Sequence, residues 1–366
     1  MALPRSLAHA MSMSQDMTGS QRIDPYMKWA GGKNHPEYIG GYRRALRNAG
    51  GNRRVVEPFV GSGSIAMNLV PGKEALLGDF DEMNIGFHNA VKTGSLGNEL
   101  DYSRFLGDNG TINRKTFLED LRGGTPHGRL RGPTATRPYS LDGSWPPREG
   151  SLNHLVHDLQ QRGVNPASSL DAIKMWAMAQ NAGFRGDARF NKNPSKRHGV
   201  DRWFNISSNE EEFAPVKRNY LAYPEITRNF DFEPVDFNTA MDTWELDPKN
   251  DILFNDSPYL EEAGNYDHGL DQARMVDTLR ELMEDAMPIV ATNSEYALPL
   301  FRDAGFDTWL SDRKNNYGAK SSSRGKAREM VAVTPGLISE NEWKNIGKST
   351  QTTLFDQAWD VVIANV

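Results

Sequence analysis

The stretch Val55-Val56-Glu57-Pro58-Phe59-Val60-Gly61-Ser62-Gly63-Ser64 constrains this chain more than any other. An apolar run stops at Pro58, two glycines follow, and Ile65, Ala66 and Leu69 then recur at helical spacing. That order predicts strand, tight loop and helix, the entry to a doubly wound α/β fold. Glycines let the backbone approach a ligand closely, and the N–H groups that open a helix point at whatever sits there. Gly61-x-Gly63-x-x-Ala66 also satisfies the dinucleotide fingerprint. The loop is therefore compatible with an adenosine-containing cofactor, and equally with a glycine turn that serves packing alone.

The strands that would complete such a sheet follow at intervals. Ala75 to Asp79 reads as a second strand ending in a carboxylate, about twenty positions past the first glycine, where dinucleotide folds hold a ribose. A strand-end Asp capping its own turn is the plainer alternative. Asp251 to Asn255 reads as a third strand and runs into Asp256-Ser257-Pro258-Tyr259. Met275, Val276, Leu279, Leu282 and Met283 mark an amphipathic helix. Pro288 to Thr292 is a fourth strand, Phe306 to Leu310 an edge strand, and Met330 to Val333 closes the sheet. Ahead of the glycine loop, Lys28-Trp29-Ala30-Gly31-Gly32-Lys33 reads as an anion-and-ring site or as a solvated basic turn.

Between Ser95 and Leu246 the periodicity fades. Gly123 to Gly150 holds six glycines and five prolines, which reads as a loop or extended insertion. Leu170 to Asn181 returns to helix. From Arg185 to Arg202 there are six Lys or Arg against two Asp, set among Phe190, Asn191 and, just beyond, Trp203 and Phe204. Cations that neutralise phosphates, Asn and Arg that read base edges, and rings that stack make a nucleic-acid surface. A net charge of −6 over 366 residues requires such cations to be concentrated locally, here and in a second basic loop from Arg313 to Arg328. The chain has no cysteine, which excludes disulfides, thiolate metal sites and a cysteine nucleophile, and suits a reducing cytoplasm. No run reaches the length of a membrane span, and residues 1–20 read as a tail.

Asp256-Ser257-Pro258-Tyr259 at a strand's carboxyl end, in a sheet whose first loop suits adenosine, fits one chemistry well. The exocyclic amine of a base is a poor nucleophile because its lone pair is delocalised into the ring. A carboxylate and a backbone carbonyl that accept its two N–H bonds localise that pair, and an aromatic ring stacks on the base once it is flipped from the duplex. Asp256, the Ser257 carbonyl and Tyr259 are the residues for those tasks. Methylation at cytosine carbon-5 would need a covalent nucleophile, typically cysteine.

In their order and content these segments, from Tyr26 to Thr334, resemble the Dam-type (D12 class) N6-adenine DNA methyltransferases. The resemblance implies a Rossmann-like methyltransferase domain over 21–94 and 247–335, an inserted, mainly helical target-recognition domain over 95–246, and a C-terminal tail over 336–366. It implies S-adenosyl-L-methionine as cofactor, held by Trp29, Lys33, Glu57, Phe59, Gly61, Ser62, Gly63, Asp79 and Asp256. Catalysis falls to Asp256, Ser257, Pro258 and Tyr259. Double-stranded DNA is then the partner, met by Arg185, Arg189, Asn191, Lys196, Arg197, Arg202, Lys320 and Arg324. The family usually has Asp-Pro-Pro-Tyr, so Ser257 departs from it by losing a residue with fixed φ. An N4-cytosine enzyme, a non-catalytic DNA-binding protein with the same fold and a nicotinamide oxidoreductase are the competing readings; the last leaves the tetrad and the basic loops unexplained. Gln351-Thr352-Thr353-Leu354-Phe355 resembles a sliding-clamp docking peptide, or a tail segment packing on its own domain.

Overall fold

The computed structural model of the chain describes residues 14–15, 21–27, 29, 32–113, 117, 152–182, 190–191, 203–204, 212–213, 219–259, 270–314 and 328–346. The chain divides into two units. One lies within Met1–Pro25, Gly31–Ile85 and Ala222–Val366, the other within Tyr26–Ala30 and Gly86–Leu221.

The first unit is built on a seven-stranded sheet. Its strands are β1 (Arg54–Glu57), β2 (Ala75–Asp79), β3 (Phe230–Pro234), β4 (Asp251–Asp256), β5 (Ile289–Ser294), β6 (Asp307–Lys314) and β7 (Arg328–Val333). Their order across the sheet is β6-β7-β5-β4-β1-β2-β3, with β7 antiparallel to both neighbours and the other contacts parallel. This is the doubly wound arrangement expected from the glycine-loop stretch, with one antiparallel strand slipped in beside the edge. Strands β1, β4 and β5 are buried almost without interruption because both faces are covered, and each carries an apolar run, as buried parallel strands do. Strand order reverses between β1 and β4. In open α/β sheets a ligand crevice forms outside the carboxyl ends of the strands at such a switch point.

The helices are α1 (Pro36–Asn48), α2 (Ser64–Leu69), α3 (Glu82–Lys92), α4 (Leu152–Gln161), α5 (Leu170–Ala182), α6 (Phe237–Thr243), α7 (Gln272–Glu284), α8 (Leu298–Asp303) and α9 (Glu340–Lys344). Met275, Val276 and Leu279 of α7 join Leu253, Ile289, Phe301, Met330 and Ala332 in one buried cluster. On the sheet near β6, α1 carries Tyr38 and Tyr42, whose rings meet Trp343 of α9 edge-on. Among the described residues, no helix is long and apolar enough to cross a membrane.

Three boundaries differ from the sequence reading. The segment expected to be inserted, 95–246, contains β3, which pairs with β2 through Phe230 to Pro234, and α6, whose Phe237 and Ala240 join the core cluster. Phe-Asp-Phe-Glu-Pro alternates too briefly to stand out as a strand after so long a stretch of weak periodicity. The stretch 336–366, expected to be a tail, contains α9, with a complete Ser339–Glu342 capping box and a fully buried Trp343. In the N-terminal tail, Ser14 and Gln15 pair antiparallel with Gln21 and Arg22.

Besides α4 and α5, the second unit contains two short antiparallel pairs, Ile112–Asn113 with Glu212–Phe213 and Phe190–Asn191 with Trp203–Phe204. Phe87 anchors its core, its ring touching Trp176 and Tyr220 at centroid distances of 6.0 and 5.8 Å.

Candidate active site

The glycine loop is shaped by its backbone. Gly61 and Gly63 have φ of 49° and 68°, in the left-handed region where a side chain is strained, and Gly63 caps α2. The Val60 amide donates to the Gly78 carbonyl across 2.8 Å, which ties the loop to β2. Glu57, the last residue of β1, is buried, and its Oε1 accepts from the Ala66 amide at 2.7 Å. Burial pushes this carboxyl well above the usual range, and the Ala66 N–H pulls the other way.

Asp79 ends β2. Its Oδ2 accepts from the Gly61 amide at 3.1 Å and from Asn84 Nδ2 at 2.9 Å, and its Oδ1 from the Asp81 amide at 2.9 Å. Asn84 also donates to the Gly61 carbonyl, so one side chain joins the acid to the loop. Burial raises the Asp79 carboxyl to about 6, against the pull of these donors.

Asp256 ends β4, directly opposite Thr292 in the β4–β5 register. Thr292 donates its hydroxyl to Asp256 Oδ1 at 2.7 Å, and Lys33 Nζ lies 2.7 Å from the same oxygen. Lys33 is 1% exposed and donates also to the Tyr259 hydroxyl at 3.2 Å, while its Nζ stands 3.7 Å from Glu329 Oε1. Tyr259 in turn donates to Glu329. One cation thus serves a part-buried acid, a buried acid and a phenol. Burial raises the Asp256 carboxyl, and the Lys33 charge and hydrogen bond oppose that rise. Burial, with the nearby Glu329 and Asp256 charges, pushes the Tyr259 phenol well above its ordinary value, so it stays a donor.

Among the residues singled out in the sequence, Lys33, Asp256 and Tyr259 come together in this network. Glu57, Gly61, Ser62, Gly63 and Asp79 gather at the ends of β1 and β2. Phe59 stacks on Phe237 with rings 5.6 Å apart and nearly parallel. Lys33, assigned to the cofactor from the sequence, makes its ion pair with Asp256. Tyr259, assigned to the base, is 6% exposed with its hydroxyl held by Glu329. Trp29 belongs to the second unit and is half-buried there. Asn191 sits in the strand pair Phe190–Asn191 with Trp203–Phe204. Arg185, Arg189, Lys196, Arg197, Arg202, Lys320, Arg324 and the segment Gln351 to Phe355 lie outside the described residues.

Sequence reasoning missed Asn84, Gln272, Thr292, Asn293 and Glu329 as parts of the site. Thr292 could have been found from topology, since the strand beside an acid-bearing strand places its own end residues against that acid. Glu329 is a buried acid that follows Arg328 and precedes an apolar run, an unusual place for a charge.

Residues 29–137 match the family described as D12 class N6 adenine-specific DNA methyltransferase. Over 333 residues the chain is 23% identical to the Type II methyltransferase M1.LlaDCHI of Lactococcus lactis subsp. cremoris, an alignment that spans 86% of this chain and 96% of that protein.

Proposed function

We propose that this chain is a D12 class N6 adenine-specific DNA methyltransferase that takes its methyl group from S-adenosylmethionine and delivers it to an adenine flipped out of double-stranded DNA. One observation supports the reading most. Among the described residues, both bonds to Asp256 end on Oδ1, which leaves Oδ2 to accept from a ligand.

The donor set suits the cofactor. Asp79 Oδ1 makes a single bond and retains acceptor capacity for a ribose hydroxyl, whereas Oδ2 already accepts two. Glu57, Asp79 and Asp256 lie at the carboxyl ends of β1, β2 and β4, where acids favour a cationic ligand. When bound, S-adenosylmethionine supplies an electrophilic methyl on a sulfonium. The protein's part is to make the amine ready. Asp256 Oδ2 accepts one N6–H and the Ser257 carbonyl the other, so the lone pair turns from the ring toward the methyl. As the amine gained the methyl, whose bond to sulfur would break to leave a neutral thioether, the nitrogen would become cationic, and Asp256 Oδ2 would take the proton it must shed. Acceptors fixed before reaction stabilise that charge without reorganising. The basic residues between Arg185 and Arg202 and between Arg313 and Arg328 supply cations for the DNA backbone.

Incubating duplex DNA with a methyl-labelled donor and digesting it to nucleosides tests the reading. Label is expected in N6-methyldeoxyadenosine with the intact protein. With Asp256→Asn, which keeps the side chain's shape, transfer is expected to be abolished while cofactor and DNA binding persist. Label in N4-methyldeoxycytidine, or transfer at the unmodified rate by Asp256→Asn, overturns it.

A further inference from the structure

At the second residue of the tetrad the loop bearing the amine acceptors has a serine, whose φ is free. Pro258 restricts that serine from one side only, so the rest of its orientation falls to the surroundings. Those surroundings are specific. Ser257 is 2% exposed and Asn293 fully buried. Asn293 Nδ2 donates to Ser257 Oγ at 3.0 Å, to Gln272 Oε1 at 3.2 Å and, more weakly, to the Pro258 carbonyl at 3.4 Å. Gln272 Nε2 donates to the same Pro258 carbonyl at 2.7 Å. Asn293 is itself held, since its Oδ1 accepts from the Ser294 amide at 2.8 Å. It stands in β5 next to Thr292, which bonds Asp256, and Gln272 opens α7.

The Ser257–Pro258 peptide, whose carbonyl is the second amine acceptor, is therefore anchored on both sides. Before it the Ser257 hydroxyl is pinned to β5, and after it the Pro258 carbonyl is pinned to α7 and β5. We propose that Asn293 and Gln272 are positioning residues that lock the Ser257 carbonyl toward the substrate amine, doing by hydrogen bonds what a proline at 257 would do by its ring. The assignment rests on the function proposed above. It explains how a serine is tolerated beside Asp256: two buried amides from separate elements converge on a turn that has lost its covalent restraint.

The test is a set of double-mutant cycles. Ser257→Ala and Asn293→Ala each break the same bond, so each is expected to lower kcat, by up to on the order of 10²-fold for a misplaced acceptor, with KM for DNA and donor unchanged. Combined, they are expected to cost little more than either alone. In a Ser257→Pro background, where φ is fixed covalently, Asn293→Ala is expected to cost far less than in the parent. Gln272→Ala, at a helix start where folding is less at risk, is expected to follow the same pattern. Losses that multiply independently in every background overturn the proposal. Hydrogen exchange at the Tyr259 amide reads the same lock without chemistry. It is expected to quicken in Ser257→Ala and Gln272→Ala and to slow again when Ser257→Pro is added to Gln272→Ala. If the intact protein methylates no adenine, the functional reading falls, and exchange still decides the lock: unchanged exchange in these variants refutes it.

Discussion

Lys33→Met probes the centre of the site, because it removes a charge and keeps most of the volume. The structure sets the size of the effect. At 2.7 Å from Asp256 Oδ1 and 3.7 Å from Glu329 Oε1, Lys33 is attracted by roughly 6 and 4.5 kcal/mol at an effective dielectric of about 20. The variant also escapes the cost of burying an ammonium, several kcal/mol, so the net loss for stranding the acids is about 3–5 kcal/mol. Part of that loss is relieved when an acid takes a proton. Burial already raises the Asp256 carboxyl and Lys33 opposes the rise, so without Lys33 it rises further. A carboxyl whose folded pKa is raised contributes stability that is full below the unfolded pKa and is lost as pH rises through the folded one. The destabilisation of Lys33→Met is therefore smallest in acid and grows toward alkaline pH. The rate responds through the same group. Only the ionised carboxylate can accept the amine proton, so the acid limb of the single-turnover rate moves to higher pH in the variant. Urea unfolding and single-turnover transfer, both measured across pH, check the two effects. A penalty independent of pH, together with an unmoved acid limb, refutes the coupling of Lys33 to Asp256.

Two further outcomes follow from other parts of the first unit. With its carboxyl near 6, Asp79 loses its charge as pH falls, so affinity for S-adenosylmethionine by calorimetry is expected to hold above that value and to drop roughly tenfold per pH unit below it; Asp79→Asn is expected to bind weakly with a flat profile. Trp343→Ala removes a fully buried ring that meets Tyr38, Tyr42 and Trp309, and is expected to cost about 3–5 kcal/mol in chemical denaturation.

The parts legible in the sequence are those where local chemistry dictates local shape. Gly61 and Gly63 announce a left-handed turn because other residues are strained there, and the apolar run Ile252 to Phe254 announces a strand covered on both faces. Strand β3 and helix α9 were hidden for the opposite reason. Phe230 and Phe232 become strand residues only because β2 offers them an edge, and Trp343 marks a short helix only because Tyr38 and Tyr42 lie beneath it. The site divides the same way. Asp256 and its tetrad are contiguous and stand out, whereas Thr292, Asn293 and Glu329 reach them through register between strands far apart in sequence. Pairing of that kind is a property of the sheet, and no window of residues contains it.

The three strand-end acids are all raised by burial, yet they are compensated differently, and the difference sorts their roles. Glu57 answers a backbone amide at the start of α2, and burial raises its carboxyl well above the usual range. It therefore braces the glycine loop. Asp79 is held by neutral donors, the Gly61 and Asp81 amides and Asn84, so its full negative charge remains for a ligand once it ionises above about 6. Asp256 faces a cation, which cancels much of its charge and leaves its lone pairs. A neutral exocyclic amine asks for hydrogen-bond acceptance, while a cationic sulfonium with ribose hydroxyls asks for both acceptance and charge. The acid paired to Lys33 thus suits the base, and the acid on neutral donors suits the cofactor. Under the proposed function, the same end of the sheet offers one acid to each ligand, because Lys33 is set against one of these acids and not the other.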